Sequence, residues 1–222
     1  MKVYRFSFPQ GEITFDFENG LIDLKGKIGR EKNGEKFEPI KGIYPLEEIP
    51  LFTGFYLTGL TILENIDFQV KGKMYIGREG FLLEFFRFSE PVDSKVGFLL
   101  AQDLKNKRAT KFSFNRANLY AFLKMLEEQD KMIPVENTVW EKNEGKVFVN
   151  RVEIPFQKAK ATKFALKEIL RGNKIPHLVQ EWENGRLRIA GKKLEVFKAE
   201  GRRIGIINLE DIGNLSRLLV CL

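Results

Sequence analysis

The sequence predicts an α+β fold of tandem ββββα-type units, and three observations predict it. Residues 181–220 read as successive strands closed by a helix, two pairs of segments recur at matched spacing, and apolar residues alternate with period two almost everywhere outside a few helical stripes. In the first of these, Asn184-Gly185 predicts a tight type I′ hairpin. After it Leu187 and Ile189 alternate with Arg186 and Arg188, a half-buried strand with a basic outer face. Lys193 to Glu200 and Arg202 to Ile207 add two β-type runs around Gly201. Asn208 then precedes Leu209-Glu210-Asp211, and Ile212, Leu215 and Leu219 follow at helical spacing, the acidic entry suiting the positive end of a helix dipole.

The recurrences extend this grammar to the rest of the chain. ENGLIDLKGK at 18–27 aligns without gaps on ENGRLRIAGK at 183–192, and GIYPLEEI at 42–49 on GIINLEDI at 205–212. Ile133-Pro134 followed by Trp140-Glu141 matches Ile175-Pro176 followed by Trp182-Glu183, with the chain's two tryptophans at the same offset. Internal duplication accounts for both matches.

Four units follow in order. The first, about 1–65, has strands near Val3–Phe8, Ile13–Phe17, Leu21–Ile28 and Phe37–Ile43, then a helical segment from Leu46 that Pro45 starts and Pro50 and Gly54 shorten or kink. The second, about 66–132, has strands near Phe68–Ile76, Phe81–Phe88, Val96–Gln102 and Thr110–Phe114. Its helix RANLYAFLKMLEEQ carries one apolar stripe of Leu119, Phe122, Leu123 and Leu126. The third, about 133–173, has strands near Thr138–Lys142, Val147–Ile154 and Ala161–Phe164 and a short helix stopped by Gly172. The fourth is the stretch described first. Units pair into domains at 1–132 and 133–222.

Composition bounds the function. Of 222 residues 43% are hydrophobic and 12% aromatic, enough for one large core or two modest ones. No stretch reaches the roughly 18 apolar residues of a membrane span, and the N-terminus alternates, so the expectation is a cytoplasmic protein without a signal peptide. One cysteine, Cys221, excludes an internal disulfide and a cysteine-based metal cluster. Abundant Lys, Glu, Ile and Phe with scarce Gln and His fit ion-paired surfaces at high temperature. The net charge of +7 is unevenly placed: residues 1–130 hold 19 Lys+Arg and 19 Asp+Glu, residues 131–222 hold 18 and 11. A basic half suits a polyanionic partner, since neutralised phosphates release counterions; a well-solvated face accounts for it equally.

Within the second unit, Lys71-Gly72-Lys73, Gly80-Phe81-Leu82-Leu83 and the passage KFSFNRANLYAFL resemble the Whirly proteins. The ENG-type hairpins and the GI-x-x-LE-D/E-I entry to the closing helix in the first and fourth units are similar to Pur-alpha repeats. The resemblance implies antiparallel curved sheets with helices packed on one side, and single-stranded DNA or RNA bound on the sheet. Met74-Tyr75-Ile76 departs from the small residues that follow Lys-Gly-Lys in the Whirly family.

Strand arithmetic points the same way. Lys71, Lys73 and Tyr75 share one strand face, opposite Gly72, Met74 and Ile76; Lys25 and Lys27 lie opposite Leu24 and Ile28; Lys146, Phe148 and Asn150 oppose Val147 and Val149; and Arg186 and Arg188 take corresponding outward places. Cations along a backbone with flat rings for bases are what single strands need. Lys192, Lys193, Arg202 and Arg203 are candidates for phosphate contact or ordinary turn charges, and Trp140 and Trp182 are either stacking platforms or core. The run FLLEFFRF reads as core more than platform. His177 has no cysteine or carboxylate at ligand spacing.

The chain has no phosphate-binding glycine loop, nucleophile elbow, HExxH or histidine–carboxylate grouping, so no catalytic residue, metal or cofactor is expected. The expected partner is single-stranded nucleic acid read with little sequence specificity. The second hypothesis is a non-catalytic interaction or scaffold domain assembling, as a homo-oligomer for instance, through sheet edges or helices. The choice between DNA and RNA stays open.

Overall fold

Alternating burial along Val3–Phe8 (β1), Gly11–Asp16 (β2), Leu21–Gly26 (β3) and Lys41–Pro45 (β6) builds the first antiparallel sheet, in the order β1-β2-β3-β6. In the computed structural model, which describes residues 2–67, 72–75, 80–175 and 177–222 without the side chains of 73–75, a small hairpin of Arg30–Lys32 (β4) and Glu35–Phe37 (β5) is inserted before β6. Gly11 has φ +139, and a Cβ there would lie 2.2 Å from the Lys25 carbonyl oxygen, so only glycine lets β2 approach β3 at that point. After β6 come a helical turn at Glu48–Pro50 (α1), a π-helical turn at Leu51–Phe55 and a helix at Tyr56–Leu63 (α2). The irregularity follows Pro50 and contains Gly54, as their disruption of helical hydrogen bonding predicts.

The second sheet has the order β10-β9-β8-β7, with β7 at Gly72–Tyr75, β8 at Phe81–Val92, β9 at Lys95–Asp103 and β10 at Arg108–Asn115, closed by Arg116–Glu128 (α3). Phe122 of α3 is fully buried, and its ring centroid lies 5.5–6.2 Å from those of Phe6, Phe15, Phe85 and Phe114, which come from both sheets. One aromatic core therefore serves both sheets and the helix.

In the second half, Lys131–Val135 (β11), Thr138–Asn143 (β12), Lys146–Val149 (β13) and Val152–Ile154 (β14) form a sheet in chain order, followed by Phe156–Leu170 (α4). His177–Trp182 (β15), Gly185–Ala190 (β16), Lys193–Lys198 (β17) and Arg203–Asn208 (β18) form the last sheet, closed by Ile212–Cys221 (α5). The fold is thus α+β with antiparallel sheets, and four strands precede a helical segment four times, once with an inserted hairpin. The chain divides into Met1–Leu126 and Glu127–Leu222. A boundary after residue 132 would cut β11. No helix among the described residues is long and apolar enough to cross a membrane.

Several expectations are corrected. Ala161–Phe164 is helical, because the stripe holding α4 down is built from Ala159, Thr162, Ala165, Leu166 and Leu170, of which the small members hide the 3.6-residue period. The run Val147–Ile154 is two strands folded at Asn150 and Arg151, both at positive φ. Asn184 and Gly185, by contrast, are not at positive φ; the loop is Glu183-Asn184, and Gly185 already pairs with Trp182, so a type I′ turn is absent there. The cap of α5 is Asp211, whose carboxylate accepts from the Gly213 and Asn214 N–H groups, and Asn208 instead ends β18.

The two sequence repeats fare differently. In the ENG pair, Ile22 and Leu24 are buried where Leu187 and Ile189 are buried, and both segments form the strand after a hairpin turn. In the Ile-Pro…Trp-Glu pair, Trp140 lies in β12, the second strand of its unit, but Trp182 ends β15, the first strand of the next. The second match joins non-equivalent strands. Pro134 is tolerated because β11 is an edge strand; Pro176 lies outside the described residues.

Candidate nucleic-acid interface

On β8 the pleat sends Phe81, Leu83 and Phe85 into the core and leaves Leu82, Phe86 and Phe88 half-exposed on the opposite face. Cross-strand pairing sets Phe86 against Phe98 of β9, with ring centroids 4.9 Å apart and planes 20° apart; Phe88 packs on Phe98 at 5.1 Å. Lys111 of β10 reaches over this group, its Nζ 4.1 Å from the Phe98 centroid and 5.0 Å from that of Phe88. Partial burial, then the nearby Arg30 guanidinium, lower the affinity of Lys111 for its proton. No carboxylate pairs with Lys111 among the described residues. Three accessible rings and an unneutralised cation on one sheet face offer stacking surfaces and a phosphate contact together.

This group was hidden in the sequence because FLLEFFRF looks continuously apolar. The charges in the run give no phase either: Glu84 shares the strand face of Phe86 and Phe88 but is itself buried, and Arg87 lies on the other face.

The outer face of the last sheet carries Arg186 and Arg188 as the strand register predicts, but their roles differ. Glu195 on β17 is buried between Arg188, whose Nε donates to Oε2 at 2.6 Å, and Arg203, whose guanidinium donates to Oε1 at 3.1 Å. Burial alone would raise the Glu195 pKa, but the hydrogen bonds from Arg188 and Arg203 outweigh it and hold the carboxyl below its usual value. Arg188 and Arg203 are thus committed to the fold. Arg186 lies over Phe197 at 4.3 Å with no ion pair among the described residues, and Phe197 beneath it is too buried, at 8% exposure, to receive a base.

Reversing the charge of Arg186 and Arg188 therefore cannot leave folding unchanged, since a second carboxylate would be set against Glu195. Arg188→Ala is expected to cost about 1–3 kcal/mol, with Arg203 keeping Glu195 from being orphaned. Because the folded-state pKa of Glu195 is depressed, its contribution is present above the ordinary carboxylate range and lost as pH falls through the lowered value. Urea unfolding at pH 7 and pH 3 checks this: the gap between wild type and Arg188→Ala should shrink at the lower pH, and a constant gap would refute the coupling.

The remaining predicted residues are dispersed. Lys25 and Lys27 are exposed and, with Lys41 and Glu12, border an open hollow of about 630 Å³ at Gly26; Lys25 is 4.0 Å from Asp23. Strand β3 ends at Gly26, so Lys27 and the exposed Ile28 follow no strand alternation. Lys146 is ion-paired with Glu153 at 3.6 Å, and half-buried Phe148 stands between Glu141 and Glu153 in the strand register, an acidic neighbourhood for a phosphate. Lys192 is bonded to Glu210, whereas Lys193 and Arg202 are exposed without an ion pair among the described residues. Trp140 is fully buried and donates from Nε1 to the Thr138 hydroxyl at 2.8 Å, which removes it from any platform. Trp182 is half-buried on the inner face of its sheet. Lys71 lies outside the described residues; the β7 backbone sets Lys73 and Tyr75 opposite Glu84 and Leu82, and their side chains lie outside them too. His177 is exposed, and no cluster of three metal-ligating side chains occurs among the described residues.

Compared with known proteins, the chain matches no family model, no curated protein and no solved structure.

Proposed function

We propose that the protein binds single-stranded nucleic acid, DNA or RNA, with little sequence preference, on the face of the β7–β10 sheet that carries Phe86, Phe88 and Phe98. The observation that carries this reading is the Phe86–Phe88–Phe98 cluster with Lys111 laid over it. Stacking on such rings accepts any base, and the basic excess of residues 131–222 adds long-range attraction. Two of the helices offer little to a duplex groove. α5 is capped by Asp211 and α1 opens with Glu48, so neither presents a basic N-terminal turn to a groove.

Competition against a labelled oligonucleotide tests the reading. An unlabelled single strand should displace it at markedly lower concentration than an equal mass of duplex, and affinity should fall as salt rises. Equal competition would leave only general electrostatic attraction and defeat the stacking argument.

A second reading, assembly with a protein partner, is favoured by one other surface. Met132 and Val139 are exposed beside half-buried Phe148 on the outer face of the β11–β14 sheet, flanked by Glu141 and Glu153. A concentration-dependent sedimentation coefficient abolished by Met132→Lys would support it over nucleic-acid binding.

A further inference from the structure

The hairpin of β4 and β5, inserted before β6, is fastened to the outer strand of the second sheet. Glu38, just after β5, donates from its N–H to the Lys107 carbonyl at 3.0 Å and accepts from the Ala109 N–H at 2.9 Å. The buried Thr110 hydroxyl accepts from the Ile40 N–H at 3.0 Å and donates to the Ile28 carbonyl at 2.9 Å. Between these anchors a Cβ at Gly29 would stand 2.1 Å from the Phe37 carbonyl oxygen, so the base of the hairpin closes to a spacing that only glycine allows. Both chain segments at the hairpin's base are thus pinned to Thr110. Arg30 opens β4 two residues after Ile28, and Lys111 follows Thr110 in β10, so the same anchoring brings these two cations together.

Neither Arg30 nor Lys111 has a carboxylate partner among the described residues. The neighbouring acids stand against other cations or farther off. Glu35 is 3.6 Å from Lys107, Glu38 lies beside Arg108, and Glu31 faces Lys36 in the hairpin register, on the opposite face from Arg30. Glu84 shares the sheet face of Lys111 but is two strands away beyond Leu100, about 10 Å at ordinary strand spacing. Partial burial and then the Arg30 charge weaken the hold of Lys111 on its proton. Holding the two like charges together costs energy that an anion between them would recover.

We infer that Arg30 and Lys111 seat one and the same phosphate of the bound strand, the arginine as a two-pronged donor and the lysine as a point charge beside the Phe98 ring. This rests on the strand-face reading and adds to it a defined phosphate position, half of which comes from outside the sheet. The inserted hairpin becomes part of the binding surface.

Anisotropy titrations of the full chain with a labelled oligothymidylate over a range of salt concentrations test it. Arg30→Gln should weaken binding about tenfold or more and lower the salt slope by about 0.7, the value of one single-strand phosphate. Lys111→Ala should lower the slope equally, and the double variant no further, because both side chains hold one phosphate. A drop of about 1.4 in the double variant would mean two separate contacts and overturn the shared seat. Arg30→Lys should keep the slope and lose part of the affinity. Lys36→Gln, on the opposite face of the same hairpin, should bind as wild type does; a loss equal to that of Arg30→Gln would reduce the effect to general charge and overturn the seat as well. Should Arg30→Gln melt at a lower temperature than wild type, Arg30→Met supplies the same test with more of the apolar stem retained. The two readings fail differently: no binding by wild type defeats the strand face and the seat together, whereas wild-type affinity and slope in Arg30→Gln, with binding weakened in the Phe86/Phe98 double variant, defeats the seat alone.

Discussion

Replacing Trp140 with alanine is expected to lower stability by about 3–5 kcal/mol, the range for emptying a large aromatic site in a packed core. Trp140 has no exposed surface, and its indole N–H donates to the Thr138 hydroxyl, which in turn donates to the Val135 carbonyl at 2.7 Å. The methyl of Thr138 is pressed against β18: a Cβ at Gly205 would come within 2.2 Å of it. Losing the indole therefore opens a cavity and loosens the hydroxyl that seats one sheet against the next. Trp140→Phe keeps most of the volume and should cost less. Trp182→Ala should cost far less than Trp140→Ala, because Trp182 is half-exposed and its indole N–H has no partner among the described residues. Urea unfolding with an unchanged slope is the measurement, and equal midpoints for the two alanine variants would contradict this division of labour.

Phe86→Ala with Phe98→Ala is expected to weaken single-strand binding by about 2–6 kcal/mol, two stacked bases at about 1–3 kcal/mol each, or roughly thirtyfold and upward. Lys111→Ala should instead cut the salt dependence by about one phosphate contact while leaving part of the affinity in place. The two effects separate stacking from charge. Since both rings are half-exposed, the double variant should still melt cooperatively. Wild-type affinity in the Phe86/Phe98 double variant would remove this face from the binding site.

The fold was more legible in the sequence than the site. Strands such as Val3–Phe8 and the helix over residues 116–128 announce themselves through clean periodicity, and the ENG repeat keeps its inward residues in phase. Where small residues form the buried stripe, as in α4, or where a continuous β-type run conceals a two-residue turn at Asn150-Arg151, local pattern is silent. Site residues fail for another reason. Exposure and pairing depend on what faces a side chain across the sheet: Arg188 looks free until Glu195 is set opposite it, and Phe86 looks buried until its strand phase is known. The tryptophans share one sequence context and part company because β12 is covered on its inner face whereas Trp182 ends a strand at the sheet's edge.

Cys221 gives the second half of the chain a built-in clock. The thiol has no exposed surface, and burial pushes its pKa up to about 11, so an alkylating reagent at neutral pH meets neither access nor thiolate while α5 is seated. Labelling then proceeds only through openings that lift α5, and its rate reports how often they occur. With one cysteine in 222 residues, mass spectrometry can follow that single event without engineered probes. Trp140→Ala, by weakening the sheet beneath α5, should quicken labelling, whereas Phe86→Ala with Phe98→Ala should leave its pace unchanged.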